Sequence, residues 1–278
     1  MAMLTRSVTT ILITGHRGFI GKRLIDRFKS SAPSFKILLY PGDLLNRDDL
    51  TKFFAAQQPI HAVVHLAGTF DGDFDTLLKK NVVTTHNLLN TSAEFGVSSF
   101  IYASSGAVYG ESAPDRPCKE DDPRLPNTLY GLCKKMAEDL VFYFHRSHGL
   151  RTIILRFPHV YGESNDKGVL YHFLQGIRTQ GKITVYGDGM QSRQFLHVED
   201  ACDALEKSLL YRDAGVFNIS NPRAFTIREV IDCLKQKKSF GVEYKATNNF
   251  LQHLLLDTSK AEKTLGFRAQ FTELKLPL

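Results

Sequence analysis

Cysteine is scarce in this chain and shows no pairing. Cys118, Cys133, Cys202 and Cys233 stand in unrelated contexts and none belongs to a C-x-x-C pair. That pattern reads as reduced thiols of a cytoplasmic protein. No stretch approaches the roughly 20 apolar residues of a membrane span. The N-terminal MAMLTRSVTTILITG lacks the long apolar core and small-residue cleavage site of a signal peptide, its only apolar run being a strand. Internal repeats and low-complexity segments are absent. Metal-ligand groupings are missing as well. His145 and His148 have i, i+3 spacing but no carboxylate or cysteine beside them, and read as exposed helix-end residues. Asp71, Asp73 and Asp75 lack the twelve-residue pattern and terminal Glu of a calcium loop. No metal is expected.

What is present is an ordinary globular composition. The 278 residues are 43% hydrophobic and 23% charged, enough for one large domain or a core domain with a lobe. The net charge of +6 suits an anionic small molecule and also permits a nucleic-acid surface. Its densest cluster, Lys235-Gln236-Lys237-Lys238, reads as a solvated helix end, where cations complement the dipole; neither nucleic acid nor membrane is expected as a partner.

The first half alternates short β runs with helical segments, which predicts a parallel sheet covered on both faces. Strands are expected at Val8–Ile13, Phe35–Tyr40, His61–Leu66, Ser99–Ser104 and Arg151–Arg156. Helices are expected at Ile20–Lys29, Arg47–Ala56, Asp75–Phe95 and Asn127–His148. Glycines and loops increase after Gly162. The fold expected is an α/β, Rossmann-like doubly wound sheet over residues 1–161, with a smaller substrate-binding lobe over 162–278. Residues near 195–210 are candidates to return to the main domain.

The sharpest local signal is Thr14-Gly15-His16-Arg17-Gly18-Phe19-Ile20-Gly21. It joins the first strand to the first helix through three glycines. Missing side chains let a pyrophosphate approach the backbone, and the helix N-terminus offers free N–H groups and partial positive charge. The spacing is G-x-x-G-x-x-G, and its placement between strand and helix makes it a dinucleotide site. Tyr130 and Lys134 lie four apart on a predicted helix and share a face. A bare Y-x-x-x-K is common by chance, but Ser104 and Ser105 end a strand upstream, at the sheet edge where ligands bind. An ammonium one turn away, with a positive nicotinamide ring, favours the phenolate of Tyr130. Ser105 then hydrogen-bonds the reacting oxygen while Tyr130 moves its proton, and a hydride passes to or from the nicotinamide.

TGHRGFIG, GDL at Gly42–Leu44, HLAG at His65–Gly68, NVVTTHNLL from Asn81, SSGAVYG at Ser104–Gly110 and YGLCK occur in an order that resembles the extended short-chain dehydrogenase/reductase family. RFPHVYG, VYGDGMQSRQFLHVEDACDAL, FNISNP and LDTSKAEKTLGF continue it, so the resemblance spans nearly the whole chain. It implies a nucleotide-diphospho-sugar substrate and a homodimer formed through Asp75–Phe95 and Asn127–His148. It also implies catalysis by Ser105, Tyr130 and Lys134. Cofactor contacts implied are Gly15, Arg17, Gly18, Phe19, Ile20 and Gly21 on the pyrophosphate loop, and Asp43 with Leu44 at the adenine edge. Leu66, Ala67, Gly68 and Asn81 complete that set with Tyr130 and Lys134. Ser105, Gly106, His159 and Arg193 are the implied substrate contacts, Arg193 as a fork for the diphosphate.

Departures from the family narrow the expected activity. Gly106 and Ala107 follow Ser105 where family dehydratases carry an Asp-Glu pair, so 4,6-dehydration is not expected. The GHRG loop resembles that of GDP-fucose synthase, but Ala107 replaces its cysteine, which argues against ring epimerisation through an enolate. His159 replaces the family's usual asparagine, implying a changed sugar or nucleotide preference. Cys133 replaces a common serine and reads as packing. The second strand ends in Tyr40-Pro41 without the acid that binds an NAD ribose, and Arg17 suits a 2′-phosphate, so NADP is favoured over NAD, with both open. The expected activity is 4-keto reduction of a nucleotide-sugar, with a 4-epimerase retaining NAD as the alternative. A non-catalytic NAD(P)-sensing or RNA-associated protein is the alternative of another class.

Overall fold

The computed structural model describes residues 9–30, 35–113, 115–247 and 253–276. Val8 of the predicted first strand and the lobe residues 248–252, 277 and 278 lie outside them. The chain forms two compact units that interleave in sequence. The first comprises Met1–Ala103, Cys133–Ile154 and Ser208–Gly215, and the second Ser104–Leu132, Leu155–Lys207 and Val216–Leu278.

A six-stranded sheet carries the fold, with strand order β2-β1-β3-β4-β5-β9. Its members are β1 (Thr9–Thr14), β2 (Phe35–Leu39), β3 (Ala62–His65), β4 (Ser99–Ser105), β5 (Arg151–Phe157) and β9 (Gly215–Asn218). β1 pairs in parallel with β2 and β3, and β3 with β4. Near-continuous apolar runs such as Ile11–Ile13 and Val63–Val64 are buried to 0% exposure, as strands covered on both faces must be. The order reverses between β1 and β3, which makes their carboxyl ends the switch point where open α/β sheets bind ligands.

Helices of the first unit bury one stripe each. α1 (Phe19–Ser30) buries Leu24 and Phe28. α2 (Arg47–Ala56) starts where the Asn46 side chain accepts from Asp49 N, with Asp48 and Asp49 in its first turn, and buries Leu50 and Phe54. α5 (Leu129–His148) sinks Cys133, Ala137, Val141 and Phe144 into the first unit's core, so Cys133 packs. The segment predicted as one helix over Asp75–Phe95 is α3 (Phe74–Leu78) and α4 (Thr84–Glu94) joined by a π turn at Lys79–Val83. Asp73 is the N-cap of α3, its carboxylate accepting from Thr76 N at 2.9 Å.

The second unit contains a smaller sheet in which β10 (Ala224–Thr226), β8 (Ser192–His197) and β12 (His253–Leu254) lie in that order, with β6 (His159–Tyr161) also on β8. β7 (Lys182–Tyr186) pairs with β11 (Gly241–Lys245). α6 (Gly168–Gln180) and α8 (Ile227–Lys235) bring Phe173, Ile177, Val230 and Leu234 onto Phe195 and Phe225, while α7 (Val198–Leu210) buries Ala201, Ala204 and Leu205. α9 (Ser259–Leu265) follows, and a left-handed Gly266 ends it.

This division differs from the boundary expected at residue 161. The long connection from Gly106 to Thr128 makes its hydrogen bonds with the C-terminal third: Cys118 N donates to Leu255 O, and Asn218 Nδ2 to Cys118 O, both at 2.8 Å. Ser208–Gly215 belongs to the first unit and overlaps the end of the segment near 195–210 expected to return. Cys118, Cys133, Cys202 and Cys233 are free thiols. Among the described residues no helix is long and apolar enough to cross a membrane.

Candidate active site

In the first unit, the glycine segment leaves the carboxyl end of β1 and turns straight into α1. Gly15 has φ +69°, and a Cβ there would meet Ala67 N and the Leu66 carbonyl carbon at 2.6 Å. Gly21 lies so close beneath the turn that a Cβ would stand 2.3 Å from Gly15 O. Gly18 N donates to Gly15 O at 2.9 Å, closing the turn. Glycine at these positions lets the turn pack directly against the end of β3 and lead at once into the first N–H groups of α1, groups of the kind that receive a pyrophosphate. Phe19 and Ile20, half-buried, open the helix, whereas Arg17 is exposed.

Of the residues expected to border the cofactor, Leu66 and Ala67 lie directly against this turn. Leu66, Ala67 and Gly68 continue from the end of β3. The Asn81 side chain lies across Gly68: its Oδ1 accepts from Thr69 N at 3.2 Å, and its Nδ2 donates to Thr69 O at 2.8 Å and Leu77 O at 2.9 Å. A Cβ on Gly68 would strike Asn81 Oδ1 at 2.7 Å and approach Lys134 Nζ at 3.7 Å. Lys134 is buried, donates to Ala103 O at 2.8 Å and lies over the Tyr102 ring at 4.7 Å. Burial lowers its ammonium to about 8, partly countered by Glu138 one turn on, so the group stays largely charged at neutral pH. Asp43 accepts from Leu45 N at 3.0 Å, which chiefly lowers its carboxyl, and pairs with Lys80 at 3.4 Å. Leu44 is buried, and its carbonyl accepts from Asn87 Nδ2 at 3.0 Å.

The second unit holds the other candidates. Ser105 ends β4 and caps a 3₁₀ turn at Gly106–Val108, its Oγ accepting from Ala107 N at 3.2 Å. Tyr130 lies in the first turn of α5, which Thr128 Oγ1 caps by accepting from Gly131 N at 3.0 Å. A Cβ on Gly131 would come within 2.3 Å of Ala107 O, so glycine there lets the helix start close upon the turn after Ser105. The Ser105 hydroxyl hydrogen-bonds the Tyr130 phenol, and burial nevertheless pushes that phenol up to about 12. Tyr130 and Lys134 belong to one continuous helix, one turn apart. His159 and Arg193 stand on neighbouring strands, β6 and β8. Packing around the ring and the Arg193 charge lower His159, although the residue is exposed at the start of β6, and burial lowers Arg193 to about 10 despite Glu111, leaving its guanidinium charged. A Cβ on Gly106 would touch Leu256 Cδ2 at 3.1 Å.

A model of the NAD dependent epimerase/dehydratase family matches residues 11–220, a span holding every residue just described except Leu256. The chain belongs to that family. Among relatives of this epimerase/dehydratase chain is a protein of Methanocaldococcus jannaschii named as a putative UDP-glucose 4-epimerase. It is 29% identical, over 94% of this chain and 93% of its own length. The crystal structure of a UDP-glucose 4-epimerase from Thermotoga maritima with UDP-glucose superposes with a TM-score of 0.86, at 26% identity over 94% of each chain. The structure of MoeE5 in complex with UDP-glucuronic acid and NAD gives 0.83, at 29% identity over 94% of each chain. Further relatives bear reductase and dehydratase names. The α/β fold and the nucleotide-sugar enzyme class read from the sequence are those of these relatives.

Three groups went unrecognised in the sequence. Gly131 is one letter of YGLCK, and nothing local marks its closeness to Ala107 O. Thr85 sat in NVVTTHNLL without a role, and His65 was one letter of HLAG, indistinguishable from a core histidine. His197 Nδ1 accepts from Glu199 N at 3.3 Å, and the ring stacks on Phe271.

Proposed function

We propose that the protein is a nucleotide-sugar 4-epimerase that works with bound NAD, with a UDP-sugar as its substrate. The observation that carries this reading is the Ser105–Tyr130 hydrogen bond at the start of the helix that also bears Lys134. NAD, when bound, supplies the hydride acceptor and donor for C4 and a positive charge beside the phenol. Tyr130 takes the proton from the sugar O4 and returns it after the ring has turned over. Its position in the first turn of α5 and the Lys134 ammonium favour the phenolate. Ser105 orients O4 and steadies charge on the phenol oxygen. Arg193 holds the diphosphate, and neutral His159 offers one donor and one acceptor to the substrate. Gly15, Gly18 and Gly21 receive the pyrophosphate, and Asp43 the adenine edge.

Epimerase names among the relatives support this over 4-keto reduction. The reductase reading with NADP keeps two observations in its favour: β2, which lies beyond β1, ends at Leu39 without an acid, and Arg17 is exposed at the loop. Gly106 and Ala107 supply no proton-transfer group after Ser105, which speaks against dehydration. Exposed Val83 beside α4, and Leu129, Leu132 and Tyr143 on α5, support a homodimer formed through these helices. Purified protein incubated with UDP-glucose, and separately with a 4-keto nucleotide-sugar plus NADPH, tests the choice. Formation of the 4-epimer at catalytic turnover is expected. Oxidation of NADPH by the keto-sugar without epimer formation contradicts it.

A further inference from the structure

His65 is fully buried at the end of β3, with polar partners on both ring nitrogens. Its Nδ1 lies 2.7 Å from Thr14 Oγ1, and its Nε2 lies 2.9 Å from Thr85 Oγ1. Proton counting determines the arrangement. The Thr85 hydroxyl is 2.6 Å from the Asn81 carbonyl oxygen, which has no proton to give, so Thr85 donates there. Having spent its one proton, Thr85 accepts from Nε2–H. Nδ1 of the neutral ring is then an acceptor, and Thr14 donates to it. The Thr14 oxygen in turn accepts from Ala67 N at 3.4 Å. Every proton in the chain Ala67–Thr14–His65–Thr85–Asn81 points the same way, from the sheet edge to the π turn.

The ends of this chain are the segments expected to face the dinucleotide. Thr14 is followed by Gly15, whose turn presses against Leu66 and Ala67. Asn81 grips Thr69 through two hydrogen bonds and lies across Gly68. The π turn that carries Asn81 is a departure from regular helix, of a kind that gathers at functional sites. Thr85 bonds the carbonyl of that turn's central residue. His65 ties the residue before the glycine turn to the residue after the π turn through its two ring nitrogens.

We propose that His65 is a positioning residue for the cofactor: as the Nε2–H tautomer it holds the Gly15 turn, the Ala67–Gly68 strand end and the Asn81 turn in one register, and thereby sets the affinity for the dinucleotide. This rests on the cofactor assignment made above. His65 touches neither substrate nor the reacting atoms in this account. Its protonated form would carry an N–H at both positions and break the one-way order of the chain.

NAD binding to the purified full-length protein tests this, measured by titration well below each variant's melting temperature. His65→Phe keeps a ring of similar size and removes both hydrogen bonds, and at least tenfold weaker NAD binding is expected. Thr85→Val, on the side of the ring away from the glycine turn, is expected to weaken binding three- to tenfold. The double variant is expected to match His65→Phe alone, because one relay broken twice loses no more than once. His65→Gln, whose amide N–H replaces Nε2–H, is expected to recover part of the affinity. NAD affinities within twofold of wild type for folded His65→Phe and Thr85→Val overturn the proposal, whatever their melting temperatures. Additive losses in the double variant overturn it as well. If His65→Phe does not fold, Thr85→Val decides alone, and unchanged affinity there is the contrary result. A wild type that binds no NAD overturns the cofactor assignment together with this inference, whereas wild-type binding with unaffected variants overturns only the inference.

Discussion

Ser105 hydrogen-bonds the Tyr130 phenol, yet the phenol remains near 12, above its ordinary value, because burial outweighs that one bond. The proton therefore stays on Tyr130 until positive charge arrives beside it. Ser105→Ala removes a hydrogen bond that lowers the phenol, so the acid limb of the pH–rate profile moves to higher pH. The loss at neutral pH is expected to be about 10- to 100-fold, the worth of one hydrogen bond to a charged group. Tyr130→Phe removes the proton carrier and is expected to cost about 10²- to 10⁴-fold in kcat. NAD affinity in Tyr130→Phe stays within a few-fold of wild type, as titration of the purified variant checks.

Gly21→Ala forces a Cβ to within 2.3 Å of Gly15 O and 2.8 Å of His16 Cα, both backbone atoms that cannot swing aside. NAD affinity is expected to fall at least tenfold. Gly96 provides the contrast. It has φ +65° with nothing within 4 Å of an added Cβ, so Gly96→Ala costs only about 1 kcal/mol of backbone strain. NAD titration and thermal melting of the two variants check this: the first loses binding, the second only stability.

His65 makes stability depend on acid. The unfolded histidine takes a proton below about pH 6.5, but burial chiefly, and then Lys134, hold the folded group neutral down to about 3. The unfolded state binds more protons throughout that window, so stability falls as pH drops from 6.5 towards 3. Between pH 6.5 and 4 the contribution is about 3 kcal/mol. Thermal melts across this range are expected to show a steeper decline for wild type than for His65→Gln, which has no titrating ring. Parallel curves would contradict the assignment.

How much of this was legible in the sequence follows physical lines. α2 appears at the predicted Arg47–Ala56 because its signals are local: the Asn46 cap, two acids in the first turn and an apolar stripe. The π turn at Lys79–Val83 was not legible, because one extra residue per turn barely disturbs a 3.6-residue apolar period. The departure of residues 104–132 into the second unit was hidden for another reason. Cys118 and Asn218 are bonded across a hundred residues, and no local pattern records such a pairing. The chemistry of Ser105, Tyr130 and Lys134 was readable as residue types and spacing, whereas Gly131, which lets Tyr130 reach Ser105, shows its role only through Ala107 O.

Arg193 tests the substrate side. It remains charged despite burial, and His159 beside it is lowered by its packing and by the Arg193 charge. Arg193→Ala is expected to raise KM for the UDP-sugar about 10- to 100-fold, as loss of charge-assisted hydrogen bonds does, with NAD affinity unchanged. His159→Asn is expected to alter the ranking of nucleotide-sugars by kcat/KM. Steady-state kinetics with a panel of UDP- and dTDP-sugars checks both.

In the proposed reaction, C4 of a UDP-sugar inverts by a hydride that leaves and returns within one bound complex. The measurement that reaches it most directly uses UDP-glucose deuterated at C4, incubated with the purified protein in ordinary water without added cofactor. The account predicts UDP-galactose formed over many turnovers with the deuterium still at C4. No epimer, or an epimer whose C4 carries hydrogen from solvent, would contradict it.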